Sequence, residues 1–187
     1  MADTDIRLDF SEGLLSSMQP SQEPTTEDPQ DYPEVRHGFI IGDQPLMLAA
    51  DVFSELASST QICAIPDTPA WFAGFINNRG HTVPVYDLQQ WLTGSPVDRR
   101  KGFYILLFGN QPHTAGVLLD QFPSVLTAPD SLEQLPPAHY SVLSDFARVG
   151  YRSQKQTWLE IDHAALLNHL KHNFHQPVAK AEVQDNS

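Results

Sequence analysis

From residue 36 onward the chain is a succession of short apolar runs, each closed by turn-forming residues, and this spacing limits the fold more than any other feature. Strands are expected at 37–41, 45–49, 73–77, 81–86, 103–108, 114–119, 124–127, 146–151 and 157–161. The breaks at Gly42-Asp43, Pro66-Asp67, Asn78 to Gly80, Gly109-Asn110 and Arg152-Ser153 suit antiparallel hairpins. Many short strands with regular turn signals point to a sandwich or small barrels. Helical signals are few. Segments 50–57, 88–92 and 141–145 have room for one or two turns each. The segment 162–174 has real helical length, with Asp162 placed to cap it and Ala165, Leu166, Leu170 and Phe174 recurring at helical spacing. A polar, turn-rich stretch at 93–101 reads as a seam between two subdomains, 35–95 and 101–175.

The excess acidity lies mainly in one part of the chain. Of 187 residues, 11 are Lys or Arg and 23 are Asp or Glu, a net charge of −12. Residues 1–35 hold nine acids against the single base Arg7, while 36–175 hold twelve acids against nine bases. With Pro20, Pro24, Pro29 and Pro33, the stretch 19–34 has too little apolar surface to offset the entropy of ordering, so residues 1–34 read as a disordered leader and 176–187 as a disordered tail. Within the leader, Phe10, Leu14, Leu15 and Met18 share one helical face, which fits a weak nascent helix or a short docking helix on a tether.

This balance argues against a nucleic-acid binder, which needs cations to displace counterions from phosphate, and against a polybasic membrane anchor. No segment approaches the roughly 20 apolar residues of a membrane helix, and the N-terminus lacks the marks of a signal peptide. Cys63, the single cysteine, cannot form an internal disulfide, and its apolar run TQICAIP predicts a packed core thiol in a reducing, cytoplasmic setting.

A search for catalytic constellations finds no nucleophile elbow, phosphate loop, dinucleotide fingerprint or zinc-protease helix. His163, His169, His172 and His175 fall in or after the terminal helix, where a solvated face is the expectation over a metal site. Asp87, Asp120 and Asp162 each follow an apolar strand. A converging pair could do acid/base work, but a carboxylate at a strand end more often caps a turn or helix. The expectation is no catalytic centre, no metal and no cofactor.

One segment is specific. Residues 65–88, IPDTPAWFAGFINNRGHTVPVYDL, carry Pro66, Pro69, Gly74, Asn77, Arg79, Gly80, Pro84, Val85, Asp87 and Leu88 in the order and spacing of the CheW-like domain signature. GVLLDQF at 116–122, with Asp120, and WLEID at 158–162 match two further strands of that family. The chain thus resembles CheW-like chemosensory adaptors over roughly 36–172. Gly80 would reverse the chain with positive φ, and Pro84 inside a strand requires an edge or a bulge. Asn78, where Leu is common, and His81, at a usually apolar position, depart from the pattern. The segment 130–169 is most similar to the PilI-type branch serving type IV pilus twitching systems.

The resemblance implies a mostly β, CheW-like fold of two small SH3-like five-stranded β-barrels packed together, with a short C-terminal helix. It implies a non-catalytic adaptor, cytoplasmic at inner-membrane chemosensory arrays with a cell pole as one possible site, which couples the signalling tip of a methyl-accepting chemoreceptor to the regulatory domain of a CheA-like histidine kinase. The alternative is a scaffold or polar-localisation protein that kept the fold without kinase coupling. The receptor tip would dock in the groove between the barrels, near a Glu55–Arg79 pair with Val83 and Val85, and the kinase would meet Phe53, Trp71 and Phe72. Gly74, Gly80, Pro84, Asp87 and Asp120 would be structural members of the motif.

Overall fold

A computed structural model describes residues 35–58, 60–110, 112–153 and 155–174. The expectations for the leader, the tail and His175 lie outside the described residues. Among those described, eleven strands and two α-helices follow in the order β1 (Val35–Ile41), β2 (Gln44–Met47), β3 (Ser54–Leu56), β4 (Phe72–Asn78), β5 (His81–Tyr86), α1 (Leu88–Thr93), β6 (Tyr104–Phe108), β7 (Ala115–Leu119), β8 (Ser124–Thr127), β9 (Asp130–Ser131), β10 (Ala147–Ser153), β11 (Gln156–Ile161) and α2 (His163–Asn173). Single turns of 3-10 helix occupy Arg99–Lys101 and Ser141–Asp145.

The strands form two sheets, one ordered β8-β1-β2-β11-β10-β9 and the other β3-β6-β7-β5-β4. The expected mostly β architecture in two sheets with a short closing helix is therefore present, the first sheet gaining a sixth strand from the two-residue β9. The subdomain seam is corrected. The segment 93–101 joins β5 and α1 to β6 inside the second sheet, and the first sheet draws β1 and β2 together with β8 to β11. Parallel pairing of β2 with β11 and of β5 with β7 interleaves the chain in a way that no local turn signal encodes.

A second correction concerns 50–57. Ser54–Leu56 is a strand rather than a helical turn, because pairing of Ser54, Glu55 and Leu56 with Phe108, Leu107 and Leu106 satisfies its backbone groups on one side. Strand β7 is buried along its whole length, and its alternate residues feed different cores. Leu106, Phe108, Val117 and Leu119 pack with Phe39, Ile41 and Leu46 of the first sheet and with Leu166, Leu167 and Leu170 of α2. Ile105, Leu107 and Leu118 turn the other way, toward Ile76, Val83, Val85 and Val97. Both faces of this sheet are covered, so its strands read as continuous apolar runs.

Both helices start on an aspartate. Asp87 Oδ1 accepts from Gln90 N at 2.9 Å, and its Oδ2 accepts from Val97 N at 3.0 Å, which ties the connection after α1 back to the end of β5. Asp162 Oδ1 accepts from Ala165 N at 2.8 Å and opens α2.

Candidate functional site

The β4–β5 hairpin closes in two residues. Asn78 faces His81 in the ladder, and Arg79 and Gly80 between them have φ of +53° and +86°. Two successive left-handed residues match a hairpin turn whose twist suits the flanking strands, and Asn77 Oδ1 accepts from Gly80 N at 2.9 Å to brace it. The turn projects Arg79 toward the sheet edge formed by β3. There Arg79 Nη2 lies 2.9 Å from Glu55 Oε2. The sequence-predicted pair is formed, with the Arg79 side chain 71% exposed and that of Glu55 24%.

Glu55 has a second partner that sequence reasoning did not assign. Asn78 Nδ2 donates to Glu55 Oε1 at 3.1 Å, and Ser58 Oγ donates to Asn78 Oδ1 at 3.3 Å. The only signal in the sequence was a polar residue where the family pattern favours Leu.

Two grooves meet at Glu55. One, of about 440 Å³, is lined by Phe53, Glu55, Arg79, His81, Leu107 and Asn110. The other, of about 210 Å³, lies between the two sheets, with His37 and Val125 of the first sheet opposite Glu55, Leu56 and Leu106 of the second. Phe122 and Pro123 close its end. Phe53, Phe122 and Val125 are exposed at 59%, 64% and 55%, and Tyr104 meets the Phe122 ring edge-on at 5.3 Å. This is an apolar surface with a charged pair at its centre.

Other candidate residues do not belong to that surface. Val83 and Val85 are buried inside the second sheet, since alternate residues of β5 face its core. Phe72 is also buried, and Trp71 packs partly buried beside it, stacked on Tyr86 at 6.1 Å and meeting Phe174 at 5.9 Å. These four shape the scaffold, while Phe53 lines the larger groove together with Glu55 and Arg79.

The motif residues hold backbone geometry. Gly74 has φ +125°, and a Cβ there would fall 2.2 Å from the Cys63 carbonyl oxygen. Cys63 and Phe75 exchange backbone hydrogen bonds of 2.8 and 2.9 Å, so this close approach is what Gly74 permits. Pro84 sits opposite Phe75, just outside the Val85–Tyr86 stretch that pairs with β7 and beside the register shift at the start of β4, so the missing N–H breaks no ladder bond there. Asp87 is buried as a cap, and Asp120 is exposed in the bend after β7. The expected core position of Cys63 is corrected: its run bridges the outer edge of β4, and the side chain is exposed.

Groups of displaced acidity serve the fold. The Arg148 guanidinium, aided by the Ala165 N–H, holds the Asp162 carboxyl below the usual carboxylate range, and Arg100 does the same for Asp98. A hydrogen bond from Tyr140 lowers Asp43, and burial pushes the Tyr86 hydroxyl up. Among the described residues no group of three or more His, Cys, Asp or Glu side chains could hold a metal ion. His169 packs against Phe146 and Trp91, at 5.3 and 5.7 Å, and His172 Nδ1 donates to the Asn168 carbonyl at 2.7 Å.

The Glu55–Arg79 pair and the exposed aromatic residues around it form a candidate contact surface on a two-sheet β fold. The profile of the CheW-like domain matches residues 37–171, and the chain belongs to that family of chemotaxis coupling and scaffold proteins. It is 32% identical over 111 residues to a probable chemotaxis protein CheW of Rhizobium etli, covering 59% of this chain and 72% of the relative. It is 27% identical over 110 residues to the chemotaxis protein CheW of Rhizobium meliloti, covering 59% and 69%. The crystal structure of the scaffolding protein TtCheW from Thermoanaerobacter tengcongensis superposes with a TM-score of 0.54 at 21% identity, over 70% of this chain and 89% of that one. Among the described residues no helix is long and apolar enough to cross a membrane.

Proposed function

We propose that this protein is a non-catalytic adaptor that couples the signalling tip of a methyl-accepting chemoreceptor to the regulatory domain of a CheA-like histidine kinase. The observation that carries the reading is the Glu55–Arg79 pair at the junction of two grooves flanked by exposed Phe53, Phe122 and Val125. An apolar rim around a charged pair suits a protein partner, since such contacts supply both affinity and register. The receptor tip is assigned to the groove between the sheets, reaching Glu55 and Arg79, and Phe53 is the remaining candidate for the kinase. Similarity of 130–169 to PilI-type adaptors supports an output in type IV pilus twitching, from cytoplasmic arrays at the inner membrane that gather at a cell pole.

Function in this reading is a coupling free energy between receptor state and kinase activity. Reconstitution tests it. The full chain, added to a receptor signalling-tip fragment and the kinase, changes autophosphorylation, and Arg79→Glu removes the change while the protein stays folded. Absence of binding to both partners overturns the reading. Binding without any change in phosphorylation replaces it with a scaffold or localisation role.

A further inference from the structure

Asn78 ends β4 nearly buried, at 7% exposure, so both halves of its amide need partners. The Glu55 carboxylate can only accept, so the amide is oriented with its NH2 toward Glu55, and Oδ1 is left to accept from Ser58 Oγ. Nδ2 then donates to Glu55 Oε1, while the next residue in the chain, Arg79, takes Oε2. The carboxylate is gripped at both oxygens by two consecutive residues of one turn.

We propose that Asn78 is the positioning residue of this face: it fixes the Glu55 carboxylate and thereby the direction in which Arg79 presents its guanidinium to a protein partner. A single ion pair to a side chain as exposed as Arg79 is too weak to hold one geometry. The donor from Asn78 removes the freedom of the carboxylate to rotate away. Arg79 also occupies a left-handed backbone position that favours Gly or Asn, which sets its side chain over the groove beside Phe53 and Leu107. A presented, preordered cation lowers the ordering cost of docking. A leucine at 78 would donate nothing, leaving the carboxylate held by Arg79 alone.

The part of this inference that concerns binding rests on the adaptor reading, and the test separates the two. Full-length protein, Asn78→Leu and Glu55→Ala are compared by NMR relaxation of the Arg79 Nε–H without any partner, then by calorimetric titration with a receptor signalling-tip fragment. Arg79 is expected to become as mobile in Asn78→Leu as in Glu55→Ala. Affinity is expected to fall about tenfold in each, the scale of one hydrogen bond to a charged group, with no further fall in the double variant. Asn78→Ala, which removes the donor without adding bulk, covers the case in which Asn78→Leu does not fold, and it is expected to raise Arg79 mobility too. Unchanged Arg79 mobility in the folded variants overturns the positioning role. If the tip fragment fails to bind the unaltered protein, the adaptor reading fails and the mobility measurement still decides the role of Asn78.

Discussion

Phe174 meets Phe72 edge-on with ring centroids 5.0 Å apart, so the end of α2 is fastened to the first residue of β4. Trp71 joins from the other side at 5.9 Å. The helix buries Leu166, Leu167 and Leu170 in the core shared by both sheets, and this aromatic contact closes its far end. Phe174→Ala is expected to cost about 2 kcal/mol, less than a fully enclosed phenylalanine because the ring is half-buried. Urea unfolding checks it: the midpoint should fall with the slope unchanged, and no shift would mean that the contact is not formed in solution.

Gly74 and Gly80 should respond differently to the same substitution. Both have positive φ, but a Cβ on Gly74 runs into the Cys63 backbone, whereas one on Gly80 has nothing within 4 Å. Gly80→Ala should cost roughly 1–2 kcal/mol of conformational strain alone. Gly74→Ala adds a clash between main-chain atoms and should cost clearly more, with loss of protection at the Phe75 amide in hydrogen exchange. Equal costs would refute the close approach.

Much of this architecture was legible from local pattern. Turn pairs and apolar runs located nine strands and Asp162 marked the start of α2, while the pairing of Glu55 with Arg79 came from the resemblance to CheW-like domains. What escaped depends on contacts distant in sequence. Ser54–Leu56 has no strand-forming composition and is held extended by β6. Val83 and Val85 were expected at the surface, but a sheet covered on both faces leaves no polar alternation to tell inside from outside. Trp71 and Phe72 misled for a related reason, since core and interface aromatics look alike until their neighbours are known. The interleaving of the two sheets follows from two parallel pairings that join segments far apart in the chain.

Asp162 predicts a pH dependence with a definite sign. Its folded carboxyl is held below the ordinary carboxylate value, first by Arg148 and then by the Ala165 N–H. A depressed folded value means that the carboxylate contributes stability above the unfolded pKa and loses it as pH falls through the folded one. Asp162→Ala should therefore destabilise by about 1 kcal/mol at neutral pH, the usual cost of a lost N-cap. The difference from the unaltered protein should shrink in thermal melts taken below that range. A gap that stays constant with pH would show that the charge contributes nothing.

Asp87 should behave as a buried cap. It is 1% exposed, and its two oxygens accept from Gln90 N and Val97 N. Asp87→Ala leaves two amides without acceptors, one of them at buried Val97, and should cost about 3 kcal/mol. Asp87→Asn keeps one acceptor oxygen and should cost markedly less. Equal losses by chemical denaturation would contradict the double-acceptor geometry.

Phe53 and Val85 separate contact surface from scaffold, because the two residues differ in burial more than in chemistry. Phe53 is exposed beside the Glu55–Arg79 pair, whereas Val85 has no exposed surface and packs within the second sheet. Phe53→Ala should leave stability within about 0.5 kcal/mol, as surface changes usually do, while weakening binding of a partner that uses the groove. Val85→Ala removes two buried carbons and should cost about 2 kcal/mol, with little change in affinity once the folded fraction is accounted for. Unfolding curves and partner titration on both variants decide the matter. If Val85→Ala weakens binding while Phe53→Ala does not, the contact surface lies elsewhere than at the junction of these two grooves.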